Sequence, residues 1–210
     1  MKIDFNIYLI TDRHATTLGL PEAVRLALKG GVRAVQLREK DLPVRELLSL
    51  ARELRGITRE FGAKLFINDR VDVAVAVDAD GVHLGGQSMP ASAVRKIVGR
   101  DMLIGVSTHS INEARKAGAG GADFITFGPV FPTPSKMKYS SPVGVKSLKE
   151  TKNVFNKPVF AIGGIDSGNV GQVMHAGADG IAMISAILSA DDIQRAAELM
   201  NRRIGEAVNG

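Results

Sequence analysis

The sequence has 210 residues and no cysteine, and its 27 Lys and Arg against 22 Asp and Glu give a net charge of +5. The absence of cysteine excludes disulfides, thiolate metal sites and cysteine nucleophiles. Hydrophobic residues make up 45%, enough for a large core, whereas aromatic residues make up 5% and no basic block occurs, which argues against binding to nucleic acid.

No apolar run of the sequence is long enough to span a bilayer, and no charged and then apolar leader is recognisable. We therefore expect a soluble, cytoplasmic protein without a membrane partner. The modest basic excess suits a small acidic substrate such as a phosphate ester.

Short apolar runs, typical of buried parallel strands, alternate along the chain with stretches whose apolar residues recur at helical spacing. Strands are predicted at 5–12, 32–40, 64–69, 81–85, 102–109, 124–130, 158–165 and 180–185. Helices are predicted at 20–28, 43–61, 71–77, 90–98, 111–117, 145–154, 168–176 and within 186–208. Eight βα units predict an α/β protein with a single (β/α)₈ TIM barrel as one domain over residues 1–210.

A recurring segment favours closure of the sheet. The segments are GVRAVQLR from Gly31, DADGVHLG from Asp78, GADFITFG from Gly121 and GADGIAMIS from Gly177. They lead into the second, fourth, sixth and eighth predicted strands. A recurrence at every second βα unit is expected of a barrel built from quarters, whereas a doubly wound sheet gives no reason for it.

Polar residues follow the apolar bodies of the predicted strands, and the carboxyl ends of barrel strands are where active sites form. The stretch 32–40 ends in Arg38, Glu39 and Lys40, which predicts an anion-binding guanidinium and ammonium at the barrel mouth. The alternative is an edge strand with a solvated charged tail. The other strand ends carry Asn68, Asp69, Gln87, Ser88, Ser107, His109, Thr133 to Lys136, Gly163, Gly164, Ile184 and Ser185.

Two glycines end the seventh predicted strand, in AIGGI at 161–165, and bare backbone lets N–H groups approach an anion closely. The eighth strand ends at Ile184 and Ser185, just before a helix whose first N–H groups attract phosphate. These positions predict a phosphate site, since barrel phosphate sites commonly follow strands seven and eight. The alternative is a plain Gly-Gly turn. The long loop 131–144 is predicted to cover the substrate, with a surface loop as the alternative.

Seven segments, in this order, resemble the family of thiamine phosphate synthases and TenI proteins. They are QLREK at 36–40, IND at 67–69, GVHLG at 81–85, GVSTHS at 105–110, FGPVFPTPSK at 127–136, AIGGI at 161–165 and IS at 184–185. The resemblance extends over nearly the whole chain. It implies a (β/α)₈ barrel and a transferase of thiamine biosynthesis that joins hydroxymethylpyrimidine diphosphate to thiazole phosphate, giving thiamine phosphate and pyrophosphate.

The resemblance also implies which residues form the site. The pyrimidine diphosphate would be bound by Gln36, Leu37, Arg38, Glu39, Lys40, Asn68, Ser107 and Lys136. Arg38, Lys40 and Lys136 would be catalytic, because they would neutralise the leaving pyrophosphate. The thiazole phosphate would be bound by Thr133, Pro134, Ser135, Gly164, Ile184 and Ser185. Asp69 would be a ligand of Mg²⁺.

The sequence departs from the family where a second magnesium ligand is expected. The family usually has an Asp shortly after GVHLG, and here Ser88 stands there, a neutral hydroxyl that replaces a hard carboxylate poorly. We therefore expect a Mg²⁺ site that lacks one carboxylate.

Two other functions remain as alternatives. The first is a TenI-like thiazole tautomerase, which needs no metal; its catalytic His position is Pro129 here, and His109 is the nearest substitute. The second is a non-catalytic barrel that binds thiazole phosphate and regulates. The sequence leaves open whether the chain forms a homo-oligomer.

Overall fold

The computed structural model describes residues 3–133 and 141–209. Its strands are β1 (Ile7–Ile10), β2 (Ala34–Leu37), β3 (Lys64–Asn68), β4 (Gly81–Leu84), β5 (Leu103–Thr108), β6 (Phe124–Phe127), β7 (Val159–Ile162) and β8 (Gly180–Met183). Its helices are α1 (Leu20–Lys29), α2 (Val44–Glu60), α3 (Val71–Ala76), α4 (Ala91–Val98), α5 (Ile111–Ala119), α6 (Gly144–Val154), α7 (Val170–His175), α8 (Ser185–Leu188) and α9 (Ile193–Asn209).

The strands pair in parallel and in sequence order, and β8 pairs with β1, so that the sheet closes into a barrel. The predicted (β/α)₈ TIM barrel is confirmed. No helix within the described ranges is long and apolar enough to cross a membrane.

The strand β2 is shorter than predicted, since it ends at Leu37 and the charged residues Arg38, Glu39 and Lys40 lie in the following loop. The backbone N–H of Arg38 donates to the Thr11 side-chain oxygen (2.9 Å), so a side chain takes the place of the strand ladder there. The loop therefore leaves the sheet at the mouth of the barrel.

The core between the sheet and the helices is built from outward-facing strand residues and the apolar stripe of each helix. In α2 the buried residues recur at helical spacing and include Leu47, Ala51, Leu54 and Ile57. This stripe covers the outer face of the neighbouring strands, while the opposite face of α2 is charged and exposed.

Aromatic rings fill the inside of the barrel toward the amino ends of the strands. The residues are Phe5, Tyr8, Phe66, Phe124 and Phe160, all buried. The ring centroid of Phe66 lies 5.2 Å from that of Tyr8 and 5.4 Å from that of Phe124, both edge to face, a favourable geometry for aromatic pairs. We call this group the aromatic floor. It closes the barrel from below, so that a ligand can enter from the carboxyl ends of the strands.

Glycines on neighbouring strands make room for the aromatic floor. A Cβ at Gly81 would lie 2.4 Å from the Phe66 ring, and one at Gly180 would lie 2.6 Å from the ring of Phe160. A methyl group at either position cannot be accommodated without moving a ring that is packed on several sides. The small residue that starts these strands is thus required by the ring opposite.

The repeated segments share a structural device at the base of the barrel. In the segments before β4, β6 and β8, an aspartate precedes the strand. It accepts hydrogen bonds from a backbone N–H of the preceding strand and from a cationic side chain of a helix. The aspartates are Asp80, Asp123 and Asp179, the N–H groups those of Leu65, Ile104 and Val159 (2.7–2.8 Å), and the cations Arg55, Arg95 and Lys152 (2.5–2.6 Å). The segment before β2 has Arg33 instead, which donates to backbone oxygens.

We expect Gly81→Ala to lower the free energy of unfolding by about 1–3 kcal/mol, because the added methyl group would overpack the aromatic floor. The matched control is Gly56→Ala in α2, where a Cβ would meet nothing within 4 Å. That substitution should raise the free energy by up to about 1 kcal/mol, since Ala suits a helix interior better than Gly. Urea unfolding followed by circular dichroism gives both values, and equal effects of the two substitutions would contradict the packing argument.

Candidate active site

A layer of polar side chains lies directly above the aromatic floor. Side chains alternate between the two faces of a strand, and on β2 to β6 the inward-facing residue at this level is polar, whereas on β1 and β7 it is Ile10 and Ile162. The layer consists of Gln36 on β2, Asn68 on β3, His83 on β4, Ser107 on β5 and Thr126 on β6. The predicted residues Gln36, Asn68 and Ser107 are therefore brought to one end of the barrel interior.

Gln36, Asn68 and Asp69 form a short chain of hydrogen bonds. The Gln36 amide donates to Asn68 Oδ1 (3.3 Å), and the Asn68 amide donates to Asp69 Oδ2 (2.8 Å). Since a carboxylate can only accept, this chain fixes which way both amides point. It leaves Gln36 Oε1 buried and, among residues 3–133 and 141–209, without a hydrogen-bond partner. A buried acceptor of this kind requires a partner that the chain does not supply there, such as a water molecule or a ligand.

His83 is a site residue that sequence reasoning missed. Its side chain is buried in the polar layer, with Nδ1 at 3.3 Å from the Tyr8 hydroxyl and Nε2 at 3.0 Å from Ser107 Oγ. Burial lowers the pKa of His83 to about 3, although the Asp69 charge acts in the opposite direction, so the ring is neutral. The available signal was a lone histidine inside the apolar run GVHLG, at an inward position of β4.

The charged residues of the loop after β2 differ in exposure, since Glu39 points into the protein and Lys40 is exposed to solvent. Glu39 is 5% exposed, and its carboxylate accepts from the Thr11 hydroxyl (2.7 Å) and from both the backbone N–H and guanidinium of Arg13 (3.2 Å each). Leu37 packs in the outer core. The side chains of Leu37 and Glu39 therefore hold the loop in place. A ligand could contact these two residues through their backbone N–H and C=O groups.

Arg13 is held at the same place by a second carboxylate. Its guanidinium donates two hydrogen bonds of 2.6 Å to Asp41, in the bidentate geometry that arginine and carboxylates favour. The Asp41 carboxylate raises the pKa of Arg13, and Arg13 in turn lowers the pKa of Asp41 well below its usual range. The guanidinium thus ties β1's loop to β2's loop.

Two cations of the loop after β2, Arg38 and Lys40, could bind a ligand at this part of the mouth. Lys40 is exposed and lines a cavity of about 250 Å³ together with Asn68, Asp69 and Arg70. Arg38 is half-buried and is not among the residues that line this cavity. The predicted Lys136 lies outside the described residues.

Asp69 is the carboxylate that could bind a metal ion. Its φ of 59° lies in the left-handed region, which few residues other than glycine adopt, and its Oδ1 accepts from the Ser88 hydroxyl. Within the described part of the chain, no group of three or more His, Asp or Glu side chains could hold a metal ion. Mg²⁺ commonly binds through one or two carboxylates plus substrate phosphates, so Asp69 fits a Mg²⁺ ion that arrives with a diphosphate.

The second predicted subsite lines a cavity of about 450 Å³ after β7 and β8. Its lining includes the predicted residues Thr133, Gly164, Ile184 and Ser185. Gly164 has a φ of 65°, and a Cβ there would lie 2.5 Å from the Pro132 carbonyl oxygen, so the turn after β7 requires glycine. The predicted residues Pro134 and Ser135 lie outside the described residues.

His109 does not line this cavity. Its Nδ1 contacts the Gly128 carbonyl oxygen, and its side chain lines an open groove with Phe127 and Arg115. Pro129 does line the cavity, but a proline side chain cannot transfer a proton.

We expect Glu39→Gln to lower the midpoint of thermal unfolding, because the amide would leave the buried loop with a weaker partner for Thr11 and Arg13. The loss should be about 1–3 kcal/mol in free energy of unfolding, as for other hydrogen bonds to buried charged groups. The control is Glu60→Gln, which removes an exposed partner of Arg25 and should leave the transition unchanged within error. Equal shifts in the two variants would show that the Glu39 carboxylate does not brace the loop.

Comparison with known proteins places the chain in a family. A sequence profile described as "Thiamine monophosphate synthase" matches residues 7–187. The thiamine-phosphate synthase of Roseiflexus sp. is 42% identical, with 97% of this chain and 86% of that protein covered. The thiamine-phosphate synthase of Clostridium novyi is 44% identical, with 95% and 98% covered.

A search of solved structures gives the same family. The thiamine phosphate pyrophosphorylase from Pyrococcus furiosus has a TM-score of 0.90 and 41% sequence identity to this chain, over 97% of both chains. The chain belongs to the thiamine monophosphate synthase family.

Proposed function

We propose that this protein is a thiamine-phosphate synthase, a transferase that joins hydroxymethylpyrimidine diphosphate to thiazole phosphate. The observation that supports the proposal is that two cavities open at the carboxyl ends of the barrel strands. One lies at the loop after β2, beside Asp69, and the other at the glycine turn after β7. Two phosphorylated substrates that react with each other need this arrangement.

The reaction has a simple balance of bonds. The C–O bond between the pyrimidine's CH₂ group and the diphosphate breaks, and its electron pair leaves with pyrophosphate. The lone pair of the thiazole nitrogen forms the new C–N bond. Because this lone pair is already free, no general base is needed, and the protein has mainly to hold the two reactants in line and stabilise the leaving anion.

The residues of the first subsite suit the leaving anion. Arg38 offers a planar fork of donors to phosphate oxygens, and Lys40 adds an exposed point charge beside it. Both cations lie on the loop after β2. Buried Glu39 fixes this loop by accepting hydrogen bonds from Thr11 and Arg13. By its motif, Lys136 is proposed to add a third cation from the loop after β6.

The residues near Asp69 suit a magnesium ion that binds with the diphosphate. Asp69 would hold it by its carboxylate, and the Ser88 hydroxyl, which already contacts Asp69, would stand beside it. When bound, Mg²⁺ supplies positive charge to the leaving pyrophosphate. Asn68 donates to the Asp69 carboxylate and so orients it.

The second subsite suits the thiazole phosphate. Gly163 and Gly164 bring bare backbone to the cavity after β7, and α8 begins at Ser185, where its first N–H groups are unpaired within the helix. Apolar side chains such as Ile162 and Met183 line the same cavity and suit an aromatic ring. For the tautomerase alternative, no observation on the described residues favours His109 or Pro129 as a base.

The proposal is tested by incubating the purified protein with both substrates and Mg²⁺ and measuring pyrophosphate. We expect release with both substrates present and none with either alone. Arg38→Ala should reduce kcat at least about 100-fold, the usual effect of removing one donor to a developing charge. Arg52→Ala, an exposed cation in the middle of α2, is the matched control and should leave kcat unchanged. Isomerisation of thiazole phosphate alone would instead support the tautomerase.

A second prediction concerns the metal. Ser88→Asp should lower the Mg²⁺ concentration that gives half-maximal turnover several-fold, because it adds a carboxylate at the residue that contacts Asp69. Ser49→Asp, which adds the same charge on the exposed face of α2, should leave the titration unchanged. An unchanged titration in Ser88→Asp would mean that Asp69 and residue 88 do not share a metal ion.

A further inference from the structure

A line of hydrogen bonds crosses the barrel above the aromatic floor, from β1 through β4 to β5. It joins the Tyr8 hydroxyl to His83 Nδ1 (3.3 Å), and His83 Nε2 to Ser107 Oγ (3.0 Å). We call these three side chains the relay. By the family resemblance, Ser107 is expected to bind the pyrimidine diphosphate, whereas Tyr8 and His83 have no role in the reaction described above, although both are almost completely buried.

The direction of the hydrogen bonds in the relay follows from the need to pair each buried donor. Burial raises the pKa of Tyr8, so its phenol keeps the proton. A buried imidazole is likewise disfavoured as a cation and has one N–H and one bare nitrogen. Among residues 3–133 and 141–209, the Tyr8 hydroxyl has no acceptor other than Nδ1 of His83, so we assign its proton to that bond and the ring proton to Nε2. From there it is donated to Ser107 Oγ.

This direction fixes the role of the Ser107 hydroxyl. A serine hydroxyl has one proton to donate and two lone pairs to accept with. The oxygen accepts from His83, so the proton is available for another acceptor. Thr126 Oγ1 donates to the same oxygen at 3.4 Å, the limit of a hydrogen bond, and Ser107 is partly exposed at the barrel mouth. The proton can therefore be donated to a ligand.

Ser107 provides a hydrogen-bond donor in the polar layer, and Gln36 provides an acceptor. Asp69 accepts from Asn68, Asn68 accepts from Gln36, and the buried Gln36 Oε1 is left as an acceptor. The layer thus offers one fixed donor and one fixed acceptor. An aminopyrimidine has both complements, namely lone pairs on its ring nitrogens and N–H groups on its amine.

We propose that Tyr8 and His83 are positioning residues that commit the Ser107 hydroxyl to donate to a ring nitrogen of the pyrimidine substrate. The inference rests on the proposed function for the identity of the substrate. The donor and the acceptor of this site cannot exchange roles. A ring whose donors and acceptors are placed the other way round would leave buried groups unpaired and would bind poorly. Tyr8 and His83 act through Ser107 and do not touch the substrate.

A double-mutant cycle tests whether His83 acts through Ser107. The dissociation constant of hydroxymethylpyrimidine diphosphate is measured by calorimetry, with saturating Mg²⁺ and without thiazole phosphate, for wild type, His83→Met, Ser107→Ala and the double variant. Each single variant should bind about tenfold more weakly, the usual loss for one hydrogen bond. The double variant should bind no more weakly than Ser107→Ala, since coupled residues are not additive. Additive losses would overturn the proposal.

Two further variants separate donation from packing. His83→Gln keeps an amide N–H that can reach Ser107 and should bind nearly as tightly as wild type. Tyr8→Phe keeps the ring in the aromatic floor, removes the donor to Nδ1 and should weaken binding in the wild-type background but not in Ser107→Ala. Affinity for thiazole phosphate, measured in parallel, should not change in any variant. If His83→Gln binds as weakly as His83→Met, the donated proton has no role and the proposal is wrong.

Turnover of the wild-type protein distinguishes this inference from the proposed function. Binding that follows the cycle, without pyrophosphate release when thiazole phosphate is added, would refute the synthase and leave the relay standing. Pyrophosphate release together with additive losses in the cycle would refute the relay and leave the synthase standing. Wild-type protein that does not bind the pyrimidine diphosphate would overturn both.

Discussion

The close fit between aromatic rings and glycines inside the barrel is the constraint on which the rest of the structure depends. A Cβ at Gly105 would lie 2.4 Å from the Phe124 ring and 2.6 Å from His83 Nδ1, so this one glycine gives room both to the aromatic floor and to the polar layer above it. The rings exclude water from below. The polar side chains above them therefore lie in a medium of low dielectric, where a hydrogen bond is strong and an unpaired group is costly.

The two subsites differ in how the chain prepares them. At the loop after β2, the buried carboxylate of Glu39 holds Thr11 and Arg13, so the framework consists of hydrogen bonds between side chains from two loops. At the turn after β7, backbone conformation does the same work, since Gly163 and Gly164 have φ values of 95° and 65°. The amide of Asn169 donates to the Gly164 carbonyl oxygen (2.8 Å) and secures that turn. Under the proposed function, the leaving pyrophosphate would therefore meet cationic side chains, and the thiazole phosphate would meet backbone held by glycine conformation.

Sequence reasoning predicted the barrel because its strands and helices have distinct periods of hydrophobicity, which are local properties. It predicted Gly164, Ile184 and Ser185 at one cavity because strand order determines which loops are neighbours. It could not assign Glu39 to a bracing role, since that depends on the direction of a side chain whose partners, Thr11 and Arg13, lie more than twenty residues away. His83 was missed for the same reason: its partners Tyr8 and Ser107 come from distant strands.

The repeated aspartates at the base of the barrel have a consequence for how the molecule is divided. Asp80, Asp123 and Asp179 join strand starts to cations carried outside the sheet, and none of them lines the cavities at the mouth. The ion pairs that join the strands to the helices therefore lie at the amino ends of the strands, and the cavities lie at the carboxyl ends. In such a barrel the loops at the carboxyl ends can change during evolution and bind new substrates. The residues that stabilise the amino ends of the strands need not change with them.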